Sequence, residues 1–584
     1  MNTAVFGVFG GRHAFEQATD PAGYDRVLAG TEITVGVSDS AIGRPGRTSI
    51  HDGDEGLCIL WGEAFVDPSA DASAAELLYE AYGEHGDAAM ASVNGSYLAV
   101  VERDGAARVF TDQIRSWDCY YTDAPGVRVF GSDAASVGQA IEDSTPNWDA
   151  IQQFAHFGNV FTNGTAIEEL KRVPFDGVLG SDTVGELRRF VYQPQEFDYA
   201  GELAERLERA LARRQGLPGE NALLLSAGYD SRILLSQIDD IDRCYSIGAP
   251  NADEVRTARA VSKQYDTDHE ILEVDDRYIH PLYDMVEYTD GLRESLHIHH
   301  RGNDAEIEAN SIYHGLFFDT MFRGWFLPQD GYDVLGHTFP RPRLDPEPDV
   351  AAHYCDLLGC FPDTDTCPTG YDMCDESTKD SFARETIEPA FEKCLDRTDS
   401  MYNAIDLLGI KLKPTHPFRA HLADNYTESF VAADAELVEW HLMTPPEYRT
   451  DRVFLSALRQ IDDDILRHRP PNRPHDSHRL NQVEKFLRRK VPGLDAFETP
   501  WPDRDRIYTD NNMDQKLFPD AEWVHDLSPR TKLRLNDVAS WLDVTLDDTV
   551  EPGELLTDTA DSEHGTDPEV QHDRPQFETK PAQR

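Results

Sequence analysis

Short apolar segments separated by turn residues dominate the first third of the chain. Alternating or continuous apolar positions predict β-strands at Ala4–Phe9, Gly56–Trp61, Ser96–Glu102 and Val127–Phe130. A helical period of apolar positions predicts one helix among them, at Ala74–Tyr82. We therefore predict that residues 1–195 form a strand-rich domain.

Beyond about residue 200, predicted strands alternate with predicted helices. The helices are expected at Glu202–Arg214, from Ser231 onward, and at Asp253–Tyr265; the strands are expected at Ala222–Leu225, Cys244–Ile247 and Glu270–Val274. This alternation is typical of a doubly wound parallel sheet with crossover helices, which makes the whole chain a combination of α/β and α+β structure. We assign residues 196–545 to this second domain.

Two segments depart from these patterns. Residues 335–380 are rich in Pro, Asp and Cys and are predicted to be an insertion or a long loop. Residues 546–584 are acidic, contain Pro and have almost no aromatic side chains, so we expect a disordered tail there.

The chain is strongly acidic. Its 584 residues include 54 Lys and Arg against 107 Asp and Glu, giving a formal charge of −53, while hydrophobic residues still make up 40%. Such self-repulsion is tolerable when salt screens it, so we predict a folded protein adapted to a halophile's cytoplasm. Disorder is the alternative, but 10% aromatic residues and repeated apolar segments argue against it. Nucleic acid is an unsuitable partner because phosphate binding requires basic surface.

Neither a membrane span nor a disulfide framework is predicted. No apolar run approaches bilayer length, and the first twelve residues lack the features of a signal peptide. Four of the eight cysteines are close in sequence: Cys355, Cys360, Cys367 and Cys374. Because close C-x-x-C pairs are missing, free thiols explain these cysteines better than a metal site does.

The clearest local motif is Asn221-Ala-Leu-Leu-Leu-Ser-Ala-Gly-Tyr-Asp-Ser231, an apolar strand followed by a small-residue turn and a helix. Such a turn directs backbone N–H groups and a helix N-terminus toward one point. Hydroxyls of Ser226 and Ser231, the small Gly228 and the carboxylate of Asp230 suit a Mg²⁺-bound pyrophosphate. The predicted ligands are Leu225, Ser226, Ala227, Gly228, Asp230 and Ser231. The alternative is an ordinary strand-to-helix turn; the sequence is not a Walker loop.

The motif resembles the Ser-Gly-Gly-x-Asp-Ser PP-loop of ATP pyrophosphatases, with Ala227 in place of the first Gly. The segments that follow, Tyr245–Gly248, Asp253-Glu254 and Asp268-His269, resemble asparagine synthetases in order and spacing. The resemblance implies that Ile247 and Gly248 contact the adenine or ribose of ATP.

A later segment, Ser311–Trp325, resembles the strand and acidic turn of the same family. The resemblance implies a nucleotide contact at Gly315 and a second Mg²⁺ or substrate ligand at Asp319. Leu316 and Thr320 stand where the family has acidic residues. Asn425–Trp440 resembles a further family segment, so the likeness covers nearly all of the second domain.

The N-terminal part resembles the class II glutaminase domains of this family. Trp61-Gly-Glu-Ala-Phe65, Asn94-Gly-Ser-Tyr97 and Phe130-Gly-Ser-Asp133 follow in family order, which implies an Ntn-hydrolase-like αββα fold. The family's nucleophile is Cys at position 2, but this chain has Asn2, and Trp61 replaces the oxyanion-stabilising Asn. Cys58 and Cys119 fall near predicted strands and are expected to be buried rather than nucleophilic.

The resemblance implies an ATP- and Mg²⁺-dependent ligase that adenylates a carboxylate such as aspartate, which ammonia or another amine then attacks. Glutamine hydrolysis is not expected. The alternative is a regulatory relative that binds ATP without turning it over. We expect small-molecule substrates, no nucleic-acid or membrane partner, and leave a homodimer open.

Basic and histidine clusters give further candidates. Arg467 and Arg469 are the candidates for stabilising the leaving pyrophosphate, and Lys485–Lys490 forms a second basic segment. A solvated helix, or pairing with the acidic tail, is the alternative. His297, His299 and His300 fit a substrate-facing or surface cluster on a strand better than a metal site.

The charge of the chain predicts a salt requirement. We expect a cooperative thermal transition in molar KCl and its loss in dilute buffer, because only concentrated salt screens a charge of −53. Circular dichroism at a series of KCl concentrations measures this. The same transition in dilute buffer would contradict the prediction.

Overall fold

A computed structural model describes residues 2–66, 72–124, 126–279, 283–335, 337–360, 376–475, 477–491, 493–519 and 521–546. Twelve strands lie in the first part of the chain: β1 (Ala4–Val8), β2 (Arg26–Ala29), β3 (Thr34–Ser38), β4 (Ser49–Gly53), β5 (Gly56–Phe65), β6 (Asn94–Arg103), β7 (Ala106–Thr111), β8 (Tyr120–Ala124), β9 (Val127–Gly131), β10 (Lys171–Arg172), β11 (Gly177–Gly180) and β12 (Val184–Glu186). Four helices accompany them: α1 (Arg12–Ala18), α2 (Ala74–His85), α3 (Ala134–Gly138) and α4 (Trp148–Phe157).

These strands form two antiparallel sheets of six strands each. The first has the order β10-β8-β9-β1-β3-β2, and the second has the order β12-β11-β7-β6-β5-β4. The long pair β5–β6 is in continuous register from Gly56 opposite Arg103 to Phe65 opposite Asn94. Alternate side chains of each strand therefore point to opposite faces of the sheet.

The two sheets pack face to face, and helices cover their outer faces. Val35 of the first sheet and Ile59 and Val100 of the second share one buried core. Leu78 of α2 packs on the outer face of the second sheet, and Phe154 of α4 packs on that of the first. The resulting αββα layers confirm the predicted fold of this part.

The second part contains α5 (Tyr199–Ala212), β13 (Asn221–Leu224), α6 (Tyr229–Gln237), β14 (Arg243–Ile247), α7 (Asp253–Gln264), β15 (Asp268–Leu272), α8 (Tyr283–Val286), β16 (Ser311–Tyr313), α9 (Phe318–Arg323), β17 (Gln329–Asp333), β18 (Thr338–Leu344), α10 (Val350–Leu358), α11 (Glu376–Glu392), α12 (Met401–Leu412), α13 (His416–Asn425), β19 (Thr427–Ser429), α14 (Ala435–Met443), α15 (Asp451–Ile461), α16 (His478–Lys490), α17 (Arg504–Asp510), α18 (Met513–Leu517) and α19 (Pro529–Leu546). Short 3₁₀ turns join several of them.

Five of these strands form a parallel sheet in the order β15-β14-β13-β16-β19. Helices cover both faces: Leu207 of α5 and Ile233 of α6 pack with Leu223 on one side, and Leu422 of α13 packs with Ala222 on the other. Asp198 caps α5 by accepting a hydrogen bond from Gly201 N–H, and the apolar stripe of the helix faces the sheet. The doubly wound parallel sheet is confirmed.

The predicted insertion at 335–380 contains regular structure in its described residues. β17 and β18 form an antiparallel hairpin, and α10 packs into the large core through Tyr354 and Leu358. Residues 361–375, which include Cys367 and Cys374, lie outside the described residues, as does the predicted tail beyond Leu546. In the described part of the chain no helix is long and apolar enough to cross a bilayer.

Buried ion pairs join the N-terminal sheets to the second part. Arg214, which follows α5, donates to Glu63 of β5 at 2.8 Å and to Asp434, the N-cap of α14, at 2.7 Å. All three side chains are buried. Removing one member of such a network leaves the others charged and uncompensated in a poorly solvated site.

We therefore expect Arg214→Met to lower the free energy of unfolding by about 3 kcal/mol, the range seen when one partner of a buried pair is removed. Denaturant unfolding in molar KCl measures the effect. Arg12→Met is the control, because its pair with Glu16 is exposed and should matter by less than about 0.5 kcal/mol. Equal shifts in both variants would contradict the prediction.

Candidate functional site

The turn between β13 and α6 is closed by its own hydroxyl groups. Ser226 N–H donates to Ser231 Oγ at 3.2 Å, and Gly228 N–H donates to Ser226 Oγ at 3.1 Å. The two hydroxyl oxygens are 3.3 Å apart. The predicted phosphate-binding residues thus lie together at the carboxyl end of a central parallel strand, where ligands of open α/β sheets bind.

Glu254, in the first turn of α7, fixes the same turn from the neighbouring strand–helix unit. Its Oε1 accepts a hydrogen bond of 2.6 Å from Ala227 N–H. Burial raises the pKa of Glu254 above its ordinary value, while the Ala227 bond opposes the rise. A phosphate oxygen at Ala227 would have to replace this carboxylate.

Gly315 lets the β16–α9 turn approach the first turn of α6. A Cβ atom on Gly315 would lie 2.7 Å from the carbonyl carbon and oxygen of Asp230, a distance too short for any side chain. Burial raises the pKa of Asp230, and the negative charge of Asp319 adds to the rise. The two carboxylates predicted as Mg²⁺ ligands therefore interact electrostatically.

The carboxylate of Asp230 forms an ion pair with an arginine. Arg323 Nη1, on α9, lies 3.1 Å from both carboxylate oxygens of Asp230, and Arg323 Nε donates to Asp451 at 2.6 Å. Arg473 Nη1 donates to the other oxygen of Asp451 at 2.7 Å. The structure therefore adds Arg323, Asp451 and Arg473 to the predicted site. No local motif marks them, because Asp230 and Asp451 are 93 and 128 positions from Arg323.

Burial controls the charge of this cluster. It raises the pKa of Asp230 from 3.8 to about 6, although Arg323 opposes the shift. Burial also raises the pKa of Asp319. The paired carboxylates suit a hard cation, and the guanidinium of Arg323 marks where positive charge is stabilised. A cation at Asp230 would have to share it with Arg323 or displace that side chain.

The residues predicted to contact the nucleoside lie beside this turn. Leu225 N–H donates to Tyr245 O at 2.8 Å, so the end of β14 is held next to the turn. Ile247 is half-buried, and Gly248 continues the pairing by donating to Leu272 O at 3.0 Å. Their contact with adenine or ribose stays a prediction.

Arg467 and Arg469 are exposed on the loop after α15. Arg232 of α6 holds this loop by donating to the carbonyls of Ile465, at 3.2 Å, and His468. Arg469 Nη1 donates to Pro474 O at 3.1 Å, and its charge opposes the rise in the pKa of Tyr229 that burial causes. The structure thus places this arginine near the start of α6.

The second basic segment, Lys485–Lys490, lies on α16, a helix without a buried residue among those described. Its Phe486 packs against Phe339 of β18 with ring centroids 5.4 Å apart. The segment therefore borders the β17–β18 hairpin. Leu316 and Thr320, where the family has acids, are half-buried and buried in the β16–α9 turn.

Among the described residues, the N-terminal part has no exposed thiol that could replace the nucleophilic cysteine of the glutaminase domains. Cys58 and Cys119 are fully buried, and burial raises the pKa of both thiols. The fully buried Trp61 packs on Trp117 at 4.9 Å, and its indole N–H donates to Ser38 O at 3.4 Å.

The histidine cluster differs from the expectation of a strand face. His297 ends a 3₁₀ turn and lies 3.6 Å from Glu294, while His299 stacks on Trp501 at 4.0 Å. His300 is fully buried. Cys355 and Cys360, the two described cysteines of the predicted cluster, form no disulfide.

The raised pKa of Asp230 predicts a stability change with pH. The folded state keeps the proton of Asp230 up to about pH 6, whereas the unfolded chain loses it near 3.8, so stability falls as pH rises between these values. Asp230→Asn should therefore raise the free energy of unfolding by about 3 kcal/mol at pH 7.5, and this gain should vanish near pH 4.

Denaturant unfolding across this pH range measures the effect. Asp239→Asn is the matched control, because Asp239 is exposed beyond the end of α6. If the gain in the free energy of unfolding for Asp230→Asn did not change with pH, it would contradict a pKa of Asp230 that burial raises.

One comparison with known proteins agrees with the motifs around the turn. A family model described as asparagine synthase matches residues 202–297. A search of curated proteins gives no match. Among solved structures, the chain is similar to the glutamine phosphoribosylpyrophosphate amidotransferase of B. subtilis complexed with ADP and GMP, at 10% identity over 61% of this chain and 89% of that chain, with a TM-score of 0.22.

A second solved structure, described as the allosteric regulatory enzyme of purine biosynthesis, is 10% identical over 61% of this chain and 88% of that chain, with a TM-score of 0.21. The family match covers α5, the β13–α6 turn, β14, α7 and β15. Over that segment the chain is similar to the asparagine synthase family, as its motifs predicted.

Proposed function

We propose that the protein is an ATP-dependent, AMP-forming ligase that makes an amide from a carboxylate and ammonia or another amine. The observation that supports this most is the position of Asp230 and Asp319 beside the β13–α6 turn, at the carboxyl edge of the parallel sheet. The turn lies within the segment matched by the asparagine synthase model, a family of ATP-dependent amide-forming ligases.

In this proposal the turn binds the β- and γ-phosphates of ATP. Ser226 and Ser231 supply hydroxyls, and Gly228 leaves room for a phosphate near the backbone. Asp230 and Asp319 hold Mg²⁺, which neutralises charge on the leaving pyrophosphate when it is bound. Positioning of the substrate carboxylate against the α-phosphate then supplies most of the catalysis.

Arginines complete the phosphate site. Arg323 would have to release Asp230 to the cation, and its bond to its second partner, Asp451, would keep its charge within the site. Arg469 approaches from the loop after α15. Guanidinium groups pair well with phosphate oxygens, which makes both residues suitable for the pyrophosphate that leaves.

Free ammonia or an amine, rather than glutamine, is the proposed nitrogen donor. Asn2 cannot act as a thiolate nucleophile, and its backbone N–H donates to the carboxylate of Asp424. Trp61 supplies no donor for an oxyanion, because its indole N–H is directed at Ser38 O.

A second candidate is an ATP-binding regulatory protein without turnover. The Arg323–Asp230 pair favours it, because a guanidinium can satisfy the anionic site without a metal. The replacement of acidic family positions by Leu316 and Thr320 favours it as well. Both candidate functions require that the protein bind ATP. Calorimetric titration with ATP, with and without Mg²⁺, tests this, and no binding in either titration would exclude both candidates.

We expect pyrophosphate release from ATP in molar KCl with Mg²⁺, aspartate and ammonia. Asp230→Asn should lower the rate about a thousandfold, because the metal ligand acts on charge that shifts during the reaction. Asp239→Asn, the exposed control, should keep the wild-type rate. Glutamine in place of ammonia should release no glutamate. ATP binding without pyrophosphate release, with every carboxylate tested, would favour the regulatory protein.

A further inference from the structure

Three side chains with metal-binding atoms converge away from the nucleotide turn. His300 and Asp304 lie on the irregular segment before β16, and His421 lies in the middle of α13. His421 Nδ1 is 2.9 Å from His300 Nε2, and His300 Nε2 is 3.6 Å from Asp304 Oδ1. One ligand atom from each residue lies within 4.8 Å of the other two.

We propose that His300, Asp304 and His421 form a binding site for a divalent transition metal, with Zn²⁺ as the expected occupant. Zn²⁺ is bound at about 2.0 Å by imidazole nitrogen and carboxylate oxygen, usually in tetrahedral geometry. Ligand atoms around such an ion are roughly 3.3 Å apart. The two measured separations lie a few tenths of an ångström on either side of this value, and one ligand atom from each of the three residues lies within 4.8 Å of the others. A bound ion would replace the hydrogen bond between the two imidazoles.

Hydrogen bonding leaves one oxygen of this cluster without a partner. His421 Nδ1 and His300 Nε2 form a hydrogen bond of 2.9 Å, whereas Asp304 Oδ1 is buried and has no hydrogen-bond partner. The Asp304 oxygens stay 3.6 Å from His300 Nε2 and from His421 Nε2, longer than a hydrogen bond. Buried polar atoms are normally paired, so an ion bound by Asp304 and the two histidines would supply the partner that this oxygen lacks.

Aromatic side chains enclose the two histidines of this cluster. Phe418 packs edge-on against His300 at 5.4 Å, and Tyr288 packs edge-on against His421 at 5.0 Å. Nitrogen ligands select a transition metal over Mg²⁺ or Ca²⁺, which prefer oxygen.

The exposure of Asp304 defines how the ion enters. Its side chain is 30% exposed, whereas those of His300 and His421 are 0% and 2% exposed. A metal can therefore arrive from the Asp304 side, and water can fill the fourth position there. The ion would join the segment before β16 to α13, the helix whose Arg419 pairs with Glu428 of β19. We therefore assign the metal a role in holding this helix against the sheet.

The test uses the full-length protein, freed of metal with a chelator and kept in molar KCl. Calorimetric titration with Zn²⁺ should show one site, and titration with Co²⁺ should give the visible absorption of a tetrahedral ion. His421→Gln and Asp304→Asn should weaken Zn²⁺ binding at least tenfold. His353→Gln should bind as the wild type does, because His353 bonds to Phe326 O outside the cluster.

A thermal shift provides the second measurement. Zn²⁺ should raise the melting temperature of the wild type and of His353→Gln, but not that of His421→Gln. Asp304→Asn is isosteric and partly exposed, so it decides the matter if a histidine variant fails to fold. No Zn²⁺ binding by the wild type, or equal affinity in all variants, would overturn the proposal. Neither result depends on the ligase reaction.

Discussion

Buried pairs of arginine and carboxylate hold the N-terminal sheets and the second part of this protein together. Arg214 joins Glu63 of the N-terminal sheets to Asp434 of the second part, and Arg293 joins the second part to Asp118. Salt screens exposed ion pairs, whereas buried pairs are screened far less. In a chain with a formal charge of −53, these buried pairs therefore keep most of their strength whatever the salt concentration.

This constraint gives the N-terminal part a role that does not depend on glutamine hydrolysis. Glu63 belongs to the strand segment that resembles the glutaminase motif, yet its carboxylate accepts from Arg214 and from Ser429 of β19. Loss of the nucleophile therefore leaves a reason to keep the strand. The αββα layers support the parallel sheet from which the nucleotide turn projects.

A pair of arginine and carboxylate also lies at the β13–α6 turn, where it opposes the binding of a cation. The proposed metal-bound nucleotide needs Asp230 as an anion, but burial raises the pKa of Asp230 and Arg323 holds both of its oxygens. A cation at Asp230 would have to compete with this arginine. Such a balance between stability and ligand binding is common at functional sites.

The sequence by itself determined the local elements and the position of the β13–α6 turn. The strands at Ala4–Val8 and Asn221–Leu224 and the helix at Asp253–Gln264 were predicted within one or two residues. Periodicity and turn residues are local signals, and they hold because each element buries one face in the way its pattern requires. The small residues between β13 and α6 likewise mark their own turn.

Only the tertiary structure decided which distant side chains meet. Arg323 reaches Asp230 across 93 positions, and His421 reaches His300 across 121. The sequence grouped His300 with its neighbours along the chain, but the imidazole of His300 contacts that of His421 on α13. No periodicity encodes such contacts, because the packing of whole helices and strands sets them.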